Sequence, residues 1–411
     1  MAAFAIPLSG LAGASDLLNV IANNLANLNT DGYKDQTLNF GDIFNGMQGM
    51  SGSGNPIQYG SGVRTEGETS NWMNGNITGT GISSNMAMDG NGFFVVRNAN
   101  NQQVFTRDGN FLVNAQGQLC TPQGQLVMGY PAVNGVVSTS SALAPITVNQ
   151  AANIPGVATT SFQMSANLNS AAKVGDTFST PITVYDSLGT SHVMTVTYTN
   201  TASNSWSYSV SVPSADTGGS GTATTVASGT MTFDSSGNLT SPSGSIANIQ
   251  IPNLADGAAP MSMTWNLTGS GASITQQNAT SAATATNQDG YGVGTLTGYQ
   301  VLPDGTVQGE FSNNQTLALG QVAVASFTNN QGLVQTGNND YTATFASGAA
   351  IIGQAQAGGN GSIAGNAVEQ SNVSLSAEFA NMIVAQQGYE ANAKVLTTMD
   401  QVSQATIQLI S

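Results

Sequence analysis

Apolar residues recur with heptad spacing near the start of the chain. They occur at Leu11, Ala14, Leu18, Ile21, Leu25 and Leu28, alternately three and four residues apart. This spacing is typical of a helix whose apolar stripe packs against other helices. The pattern predicts a helix within residues 1–30 that ends near Gly32, because glycine readily adopts the left-handed conformation that terminates helices.

The other end of the chain carries a second, less regular apolar stripe. Asn372 or Ser374 can cap its start, and Glu378 lies in the first turn, where a carboxylate favours the helix. We therefore predict that residues 369–411 contain a helix that starts after one of these caps and pairs with the N-terminal one as in a coiled coil, so that 1–30 and 369–411 form a helical core domain. The second stripe consists of Leu375, Phe379, Met382, Tyr389, Ala393 and Leu396.

Between the two ends, apolar residues alternate with polar ones. Runs such as 192–198 and 206–210 have the period of two that is expected of strands. Glycine-containing turn signals separate such runs, and those at 113–119, 233–239 and 302–307 predict hairpins. The predicted fold is mostly β with terminal α-helices. It has several domains: two β-rich, barrel-like or sandwich-like domains and a coiled-coil-like helical pair from the two termini.

One segment shows neither periodicity. Residues 39–71 are rich in Gly, Ser, Met and Asn and are only weakly periodic. Such a composition is typical of irregular structure, since glycine and asparagine favour turns over regular elements. We therefore predict an extended linker over residues 31–75.

Charged residues are sparse. The 411-residue chain has six basic and twenty-one acidic residues, which make up 7% of its length and give a formal net charge of −15. An ordinary globular protein carries about 25% charged residues. The six cations are scattered, so no basic patch forms, and we expect no binding to nucleic acid.

The start of the chain does not resemble a targeting segment. It lacks the basic region and the apolar core of a cleaved signal peptide. The sequence also has no uninterrupted apolar run of about 20 residues, so we expect no insertion into a membrane.

The residue types that carry most catalysis are nearly absent. The chain has one histidine, His192, and one cysteine, Cys120. Neither forms a recognisable metal motif or a nucleophile triad. We therefore expect no catalytic, cofactor or metal site, and a structural role for His192. A close pair of carboxylates acting as in a glycosidase would indicate a secreted hydrolase instead.

Three features of the terminal stripes favour self-assembly over a helical pair that packs only on the β region. The spacing is that of helix–helix seams. The outer face of the N-terminal helix carries amides rather than charges. The positions that flank its stripe are small: Ala12, Ser15, Ala22 and Ala26. A contact between copies that does not close on itself builds a helical polymer.

Two motifs, one at each end, resemble the signatures of a single protein family. Residues 22–34 resemble the N-terminal signature of the flagellar rod and hook axial proteins, and residues 369–394 resemble their C-terminal signature. Residues 90–96 and 105–111 are similar to the shared β domain of that family, and residues 184–189 to its hook branch. The N-terminal motif residues are Asn23, Asn24, Asn27, Asn29, Thr30, Gly32, Tyr33 and Lys34.

The resemblance implies a structural subunit of the bacterial flagellar hook that self-assembles into a curved, flexible tube and transmits motor torque to the filament. The helices of residues 1–30 and 369–411 would form the inner tube, and residues 31–75 would bridge neighbouring subunits. The two β domains would comprise residues 76–150 with 287–368, nearer the tube, and the inserted residues 151–286, further out.

The resemblance also implies partners and a location. The chain would form a homopolymer in the extracellular hook of the basal body and would contact rod, hook cap and hook–filament junction proteins. It would leave the cell through the flagellar export apparatus without a cleaved signal peptide. Two other interpretations remain open: a distal rod-type axial protein and, from a different class, a secreted β-rich adhesin.

Overall fold

A computed structural model describes residues 4–50, 56–149, 153–269 and 271–410. Parts of the predicted ends, linker and inserted domain fall outside this description: residues 1–3, 51–55, 150–152, 270 and 411, and the side chains of residues 45–50, 56–59 and 409–410.

A long helix lies near each end of the chain. Helix α1 spans Ala5–Ala26 and helix α2 spans Leu375–Ile410. Helix α1 ends before the predicted Gly32, because the N–H of Asn27 donates back to the carbonyl of Asn24 and the chain then leaves the helix. The predicted terminal helices are therefore present, and α1 ends earlier than predicted.

Among the described residues, α1 has the length and the apolar composition of a helix that could cross a membrane. No such segment was predicted from the sequence. A packed helix of a soluble protein passes the same test. In the structure, Gly10 lies against the side chain of Asn392 in α2, and Gly13 lies against Phe40 and Val63. These contacts fit a helix that packs against protein.

The segment predicted to be an extended linker contains a long antiparallel hairpin. Its strands are β1 (Gln36–Met50) and β2 (Pro56–Ser70), and their pairing is interrupted by register shifts. Backbone hydrogen bonds hold the two strands together whatever the side chains are. The described side chains of this hairpin form no regular buried face. Such a hairpin needs no alternation of apolar residues, so its sequence lacked the signal that predicts strands.

The described part of the chain contains further strands beyond this hairpin. Nine lie in the first part of the chain: β3 (Ile77–Gly79), β4 (Met86–Asp89), β5 (Phe93–Arg97), β6 (Gln103–Thr106), β7 (Leu112–Val113), β8 (Leu119–Cys120), β9 (Leu126–Val133), β10 (Val136–Val137) and β11 (Ala144–Pro145). Eleven follow: β12 (Asn153–Ile154), β13 (Ser161–Asn169), β14 (Thr177–Tyr185), β15 (Ser191–Ala202), β16 (Ser205–Val212), β17 (Thr224–Phe233), β18 (Leu239–Ser241), β19 (Ile246–Ile251), β20 (Met261–Asn266), β21 (Ser273–Gln277) and β22 (Ala282–Gln288). The last nine are β23 (Gly294–Val301), β24 (Thr306–Phe311), β25 (Thr316–Val322), β26 (Val324–Ser326), β27 (Val334–Gly337), β28 (Asp340–Thr342), β29 (Ile351–Gly353), β30 (Ser362–Gly365) and β31 (Ala367–Glu369).

The predicted strands and hairpins of the middle region are confirmed. The alternating runs 192–198 and 206–210 lie within β15 and β16. The three predicted hairpin turns place Gly117, Gly237 and Gly305 at φ angles of 75°, 80° and 85°. Glycine adopts this left-handed conformation without the strain that a side chain would add.

The chain divides into two compact units. The first unit comprises Met1–Asn149, Gly298–Gly309 and Thr316–Ser411, and the second comprises Gln150–Thr297 and Glu310–Gln315. The second unit thus reaches beyond the predicted insertion of residues 151–286, because the strands that follow the insertion begin within it.

The core of the first unit covers both faces of its central strands. In β5, Phe94 contributes to one apolar cluster and Phe93 to a second, and both side chains are buried. Successive side chains of a strand point to opposite faces, so two clusters on one strand mean that both faces are covered. This explains why residues 92–96 form a continuous apolar run.

Two short ladders in the first unit join the early and late parts of the chain. Strand β3 pairs with β31, so that Ile77 lies opposite Glu369. Strand β4 pairs with β30, with Met88 opposite Ile363. These two ladders hold the residues that precede α2 against the residues that follow the hairpin. Residue 369 belongs to β31, and helix α2 begins at Leu375, directly after Ser374, one of the two predicted capping positions.

The second unit has two sheets around one core. One sheet has the order β19-β20-β13-β21 with β22 paired to β13, and the other has the order β14-β15-β16-β17-β18. The buried side chains alternate along the strands, as in β13 and β16. Trp265 lies at the centre, with its ring 5.5 Å from that of Tyr208 and 5.6 Å from that of Phe162. This arrangement agrees with the predicted sandwich-like β-rich domain.

Candidate assembly site at the joined chain ends

The chain's own contacts cover the predicted N-terminal stripe only in part. Ile21 is buried, but the other buried positions of α1 include Gly13, Val20 and Asn24. The hairpin packs at this face, where Phe40 lies against Gly13. The other stripe residues are half-buried: Leu11, Ala14, Leu18, Leu25 and Leu28.

The predicted C-terminal stripe is covered still less. Over residues 375–408, the buried positions of α2 are Glu378 and Ala385, on the face that includes Asn392 opposite α1. Three stripe residues are exposed: Leu375 at 43%, Phe379 at 50% and Tyr389 at 44%. The other three are half-buried: Met382, Ala393 and Leu396.

The amide of Asn24 holds the end of α1 to the start of the hairpin. Its Nδ2 donates to the backbone carbonyl of Gln36 at 2.9 Å, and the N–H of Gln36 donates to its Oδ1 at 3.0 Å. The hydroxyl of Tyr33 donates to the same Oδ1 at 3.2 Å. Burial raises the pKa of Tyr33 to about 12, so this hydroxyl stays protonated at neutral pH. A buried amide has to satisfy its donors and acceptors, and these bonds do so.

The other amides of the N-terminal motif support the turn after α1. The Nδ2 of Asn27 donates to the carbonyl of Asn23 at 3.0 Å, and the hydroxyl of Thr30 donates to the Oδ1 of Asn27 at 3.1 Å. Asn23 and Asn29 are exposed, and Asn27 and Thr30 are half-buried. The outer amides therefore leave part of this surface free for other contacts.

Asn372 connects the residues just before α2 to the two ends of the β1–β2 hairpin and does not serve as a simple helix cap. Its Oδ1 accepts the N–H of Asp35 at 2.7 Å, and its Nδ2 donates to the carbonyl of Asn71 at 2.8 Å. These contacts fix the direction in which the chain enters α2.

A buried ion cluster lies at the centre of this junction. The Nζ of Lys34 lies 2.6 Å from Oε1 of Glu369, and Nη1 of Arg107 lies 3.3 Å from Oε2 of the same carboxylate. All three side chains are almost completely buried. The Nζ of Lys34 also donates to the carbonyl of Met73 at 2.8 Å, and Nη2 of Arg107 donates to the carbonyl of Gly90 at 2.7 Å.

The balance of charge in this cluster makes Glu369 essential to it. Burial lowers the pKa of Lys34 and that of Arg107, and in both cases Glu369 opposes the effect. Two cations share one carboxylate, and backbone carbonyls supply the remaining negative potential. Loss of one partner from a buried ion cluster leaves a charge without compensation, which is far more costly than loss of an exposed pair.

Gly32 lets the turn after α1 approach the backbone of Arg107 closely. Its φ angle is +70°, and a Cβ atom built there would lie 2.6 Å from the carbonyl carbon of Arg107. Its N–H donates to the carbonyl of Glu369 at 2.7 Å. Gly32, which was predicted to cap the helix, therefore packs against the backbone of two residues of the ion cluster.

The structure brings Gly32, Tyr33 and Lys34 of the predicted motif together with residues that the site prediction omitted. Glu369 and Arg107 were present in the family-like runs, but nothing in a single sequence pairs residues so far apart.

The second unit contains a separate polar cluster. The imidazole of His192, predicted to be structural, lies between two carboxylates: Nε2 is 3.2 Å from Oδ2 of Asp186 and Nδ1 is 3.1 Å from Oδ2 of Asp216. Burial disfavours the charged ring, but the hydrogen bonds to Asp186 and Asp216 outweigh it and raise the pKa of His192. Among the described residues, Asp186, His192 and Asp256 are close enough to hold a metal ion.

Four family models match successive parts of the chain. The flagella basal body rod protein model matches residues 6–34, and the flagellar hook protein FlgE/F/G D1 domain matches residues 87–169. The flagellar basal body protein FlaE D2 domain matches residues 158–291. The flagellar basal body rod FlgEFG protein C-terminal model matches residues 364–409.

Similar proteins extend over nearly the whole chain. The flagellar hook protein FlgE of Escherichia coli K12 is 34% identical over 99% of this chain and 100% of its own length. The corresponding protein of Salmonella typhimurium LT2 is 35% identical over 99% of both chains. The flagellar hook protein FlgE of Rhizobium meliloti is 33% identical over 98% of this chain and 97% of its own length.

One solved structure supports the fold. The crystal structure of Helicobacter pylori flagellar hook protein FlgE2 aligns with 71% of this chain and 98% of its own, with a TM-score of 0.50 and 15% identity. At this identity the likeness concerns the fold alone. Together, the matched family models and the full-length relatives show that this chain belongs to the flagellar hook protein FlgE family and is a structural subunit of the bacterial flagellar hook.

Proposed function

We propose that the subunit assembles into a helical homopolymer whose inner tube is formed by α1 and α2 of many copies. The observation that carries this proposal is the amount of apolar surface that one chain leaves uncovered on its terminal helices. Exposed large apolar side chains on these helices include Ile6, Leu8, Leu375, Phe379, Ile383, Val384, Tyr389, Val395, Val402 and Ile407.

The lengths of the helices support the same proposal. At 22 residues, α1 is about 33 Å long, and at 36 residues α2 is about 54 Å long. Helix α1 is therefore too short to cover α2 along its whole length. Apolar residues near the end of α2 need other partners, and further copies of the same helices would provide them.

The other faces of α1 suit contacts with several neighbours. The small residues that flank its stripe are all exposed: Ala12, Ser15, Ala22 and Ala26. Small side chains let a second helix approach closely, and exposed amides can pair with amides of another copy without the desolvation cost of charges.

The hairpin of residues 36–70 would bridge neighbouring subunits. It carries exposed apolar side chains at Phe40, Ile43 and Phe44. A two-stranded hairpin is marginally stable alone, so contacts on both sides would order it. Helix α1 supplies contacts on one side, and we propose that a neighbouring copy supplies the other.

The second unit would form the outer part of the polymer and slide against its neighbours as the hook bends. The chain has only 7% charged residues, so few ion pairs would have to break during sliding. A bending stiffness that changes little with salt would agree with this, and a steep salt dependence would contradict it.

The test is polymerisation of the purified full chain at high concentration, followed by electron microscopy. A matched version that spans residues 27–374 lacks both helices but keeps Lys34, Arg107 and Glu369. We expect curved tubes from the full chain and folded monomers from the shorter one. Straight rigid tubes would favour the rod-type alternative, and monomers from both versions, even with hook fragments as seeds, would refute self-assembly.

If the polymer forms, it would meet the rod, the hook cap and the hook–filament junction proteins at its two ends, and its subunits would be exported unfolded. Its role would be mechanical, without catalysis. The membership in a family of structural hook proteins supports this role.

A further inference from the structure

Three side chains with metal-binding atoms converge in the second unit. Asp186, His192 and Asp256 each offer one such atom, and these atoms all lie within 4.8 Å of one another. Asp186 and His192 are buried, whereas Asp256 is exposed. The proposed contacts between subunits do not use this group, so its arrangement needs a separate explanation.

Backbone donors orient the first of these side chains. The Oδ1 atom of Asp186 accepts the N–H groups of Leu188 and Thr190, each at 2.8 Å. The other oxygen, Oδ2, is thereby directed towards Nε2 of His192 at 3.2 Å. One oxygen of the carboxylate is fixed by the turn, and the other is left to face the imidazole.

Neighbouring groups also orient the other two side chains, His192 and Asp256. Asp216 places its Oδ2 3.1 Å from Nδ1 of His192. The N–H of Ala258 donates to Oδ1 of Asp256 at 3.1 Å. In metal sites the ligating imidazole commonly donates its second N–H to a carboxylate, and ligating carboxylates are themselves hydrogen-bonded.

The arrangement needs a positive species between its carboxylates, which can be a second proton on the ring or a bound cation. A neutral imidazole has a single N–H. If Nδ1 donates to Asp216, then Nε2 directs a lone pair at the carboxylate of Asp186. These two groups repel each other unless a positive species lies between them. Three carboxylates surround one ring, and a divalent cation balances more of their charge than a second proton on the ring does.

We propose that Asp186, His192 and Asp256 bind one divalent transition-metal ion of the Zn²⁺ type, with Asp216 as the outer partner of the imidazole. Bonds of about 2.0–2.1 Å in a tetrahedral site place two ligand atoms about 3.3 Å apart. The observed separation of Nε2 and Oδ2 is 3.2 Å. The exposed carboxylate of Asp256 completes three protein ligands, and water occupies the fourth position. Ca²⁺ is disfavoured, since it requires six to eight oxygen ligands.

The ion would connect two loops that are already in contact. One is the turn between β14 and β15, and the other follows β19. The N–H of Ala259 donates to the hydroxyl of Ser187 at 3.0 Å, and the N–H of Ala255 donates to the carbonyl of Asp216 at 2.8 Å. A bound ion adds a link at this place and stabilises the folded second unit, because it binds the folded state only.

Calorimetric titration of metal-free, full-length monomer with Zn²⁺ at pH 7 tests the site. Asp256→Asn removes an exposed ligand with little effect on the fold, and Asp234→Asn, in another turn of the same unit, is the matched control. We expect one ion per chain, binding weakened about tenfold or more by Asp256→Asn, and unchanged binding in the control. No saturable binding, or equal binding by both variants, would overturn the site.

The single histidine of the chain provides a second readout. Its ¹⁵N resonances report whether Nε2 is metal-bound or protonated, without ambiguity of assignment. With excess Zn²⁺ we expect the metal-bound form with Nδ1 still protonated. An imidazolium that persists would mean that a proton holds the cluster together, and the metal site would be wrong. Both measurements use monomer, so they stand independently of polymerisation.

Discussion

The second unit and the terminal helices differ in how far one chain can complete them. In the second unit, large apolar side chains such as Trp206, Trp265 and Tyr198 are almost completely buried between its two sheets. On α2, Phe379 and Tyr389 remain about half exposed. The first region finishes folding with its own residues. The terminal helices leave large apolar side chains exposed, which neighbouring copies would cover under the proposed function.

The largest expected effect comes from Glu369→Gln, which keeps the shape of the side chain but removes its charge. Two buried cations would lose their only carboxylate, and we expect the first unit to be destabilised by about 3–5 kcal/mol. Hydrogen exchange measured on peptides from each unit should show faster opening in the first unit alone.

The matched control is Glu66→Gln, which breaks the pair of Glu66 with Arg64. These side chains are 48% and 66% exposed, and exposed pairs contribute little. Equal effects of the two substitutions would contradict the importance of burial at the junction.

The next effect concerns close packing at the junction. In Gly32→Ala, a left-handed alanine alone costs about 1–3 kcal/mol, and its Cβ would lie 2.6 Å from the backbone of Arg107. Gly81→Ala is the control, because Gly81 has a φ of +71° but open space around it. We expect a clearly larger fall in the free energy of unfolding for Gly32→Ala, measured by denaturant titration. Equal falls would show that packing at this position adds nothing.

A smaller effect should depend on pH. Burial, with smaller contributions from Asp31 and Asp340, raises the pKa of Asp108 from 3.8 to about 6. The folded state then holds a proton that the unfolded state releases, so stability from this group is present below about pH 4 and is lost as the pH rises through 6. Asp108→Asn should therefore stabilise the first unit at pH 7, by at most about 3 kcal/mol, and flatten its stability between pH 4 and 7.

Unfolding curves at pH 5 and pH 7 check this prediction. The side chain of Asn can still accept the N–H of Asn110, which lies 2.9 Å from Oδ1 of Asp108. Asp234→Asn, in which an exposed carboxylate with a lowered pKa is removed, should not stabilise the protein at pH 7. A stabilisation by Asp234→Asn as large as that by Asp108→Asn would contradict the role of burial.

The smallest effect on the isolated chain, with the largest consequence for assembly, is expected from Phe379→Ser. An exposed position of this kind changes stability by no more than about 0.5 kcal/mol, yet polymer growth should be strongly reduced. Light scattering during assembly measures it. Val174→Ser changes an equally apolar exposed site of the second unit and should leave growth intact. If both variants polymerise normally, α2 does not form the contact between copies.

Periodicity predicted both the strands and the helices. The alternating strands β15 and β16 were predicted because a buried face imposes its period on the sequence. The two terminal helices were predicted from apolar stripes that the chain itself leaves mostly half-buried or exposed. The hairpin β1–β2 was not predicted, since its described side chains form no regular buried face. The site divides in the same way: Gly32, Tyr33 and Lys34 were found through a motif, whereas their partners Arg107 and Glu369 could be identified only from the folded chain.

The contact between Lys34 and Glu369 joins residues that are 335 positions apart in the sequence. A chain that emerges from its N-terminus first cannot make this contact until nearly all of it has emerged. Closing so long a loop also carries an entropic cost that only the completed surroundings repay. The junction therefore brings the two helices together only once residues from both ends of the chain are present. Under the proposed function, an incomplete chain would lack the paired surface on which a polymer could grow.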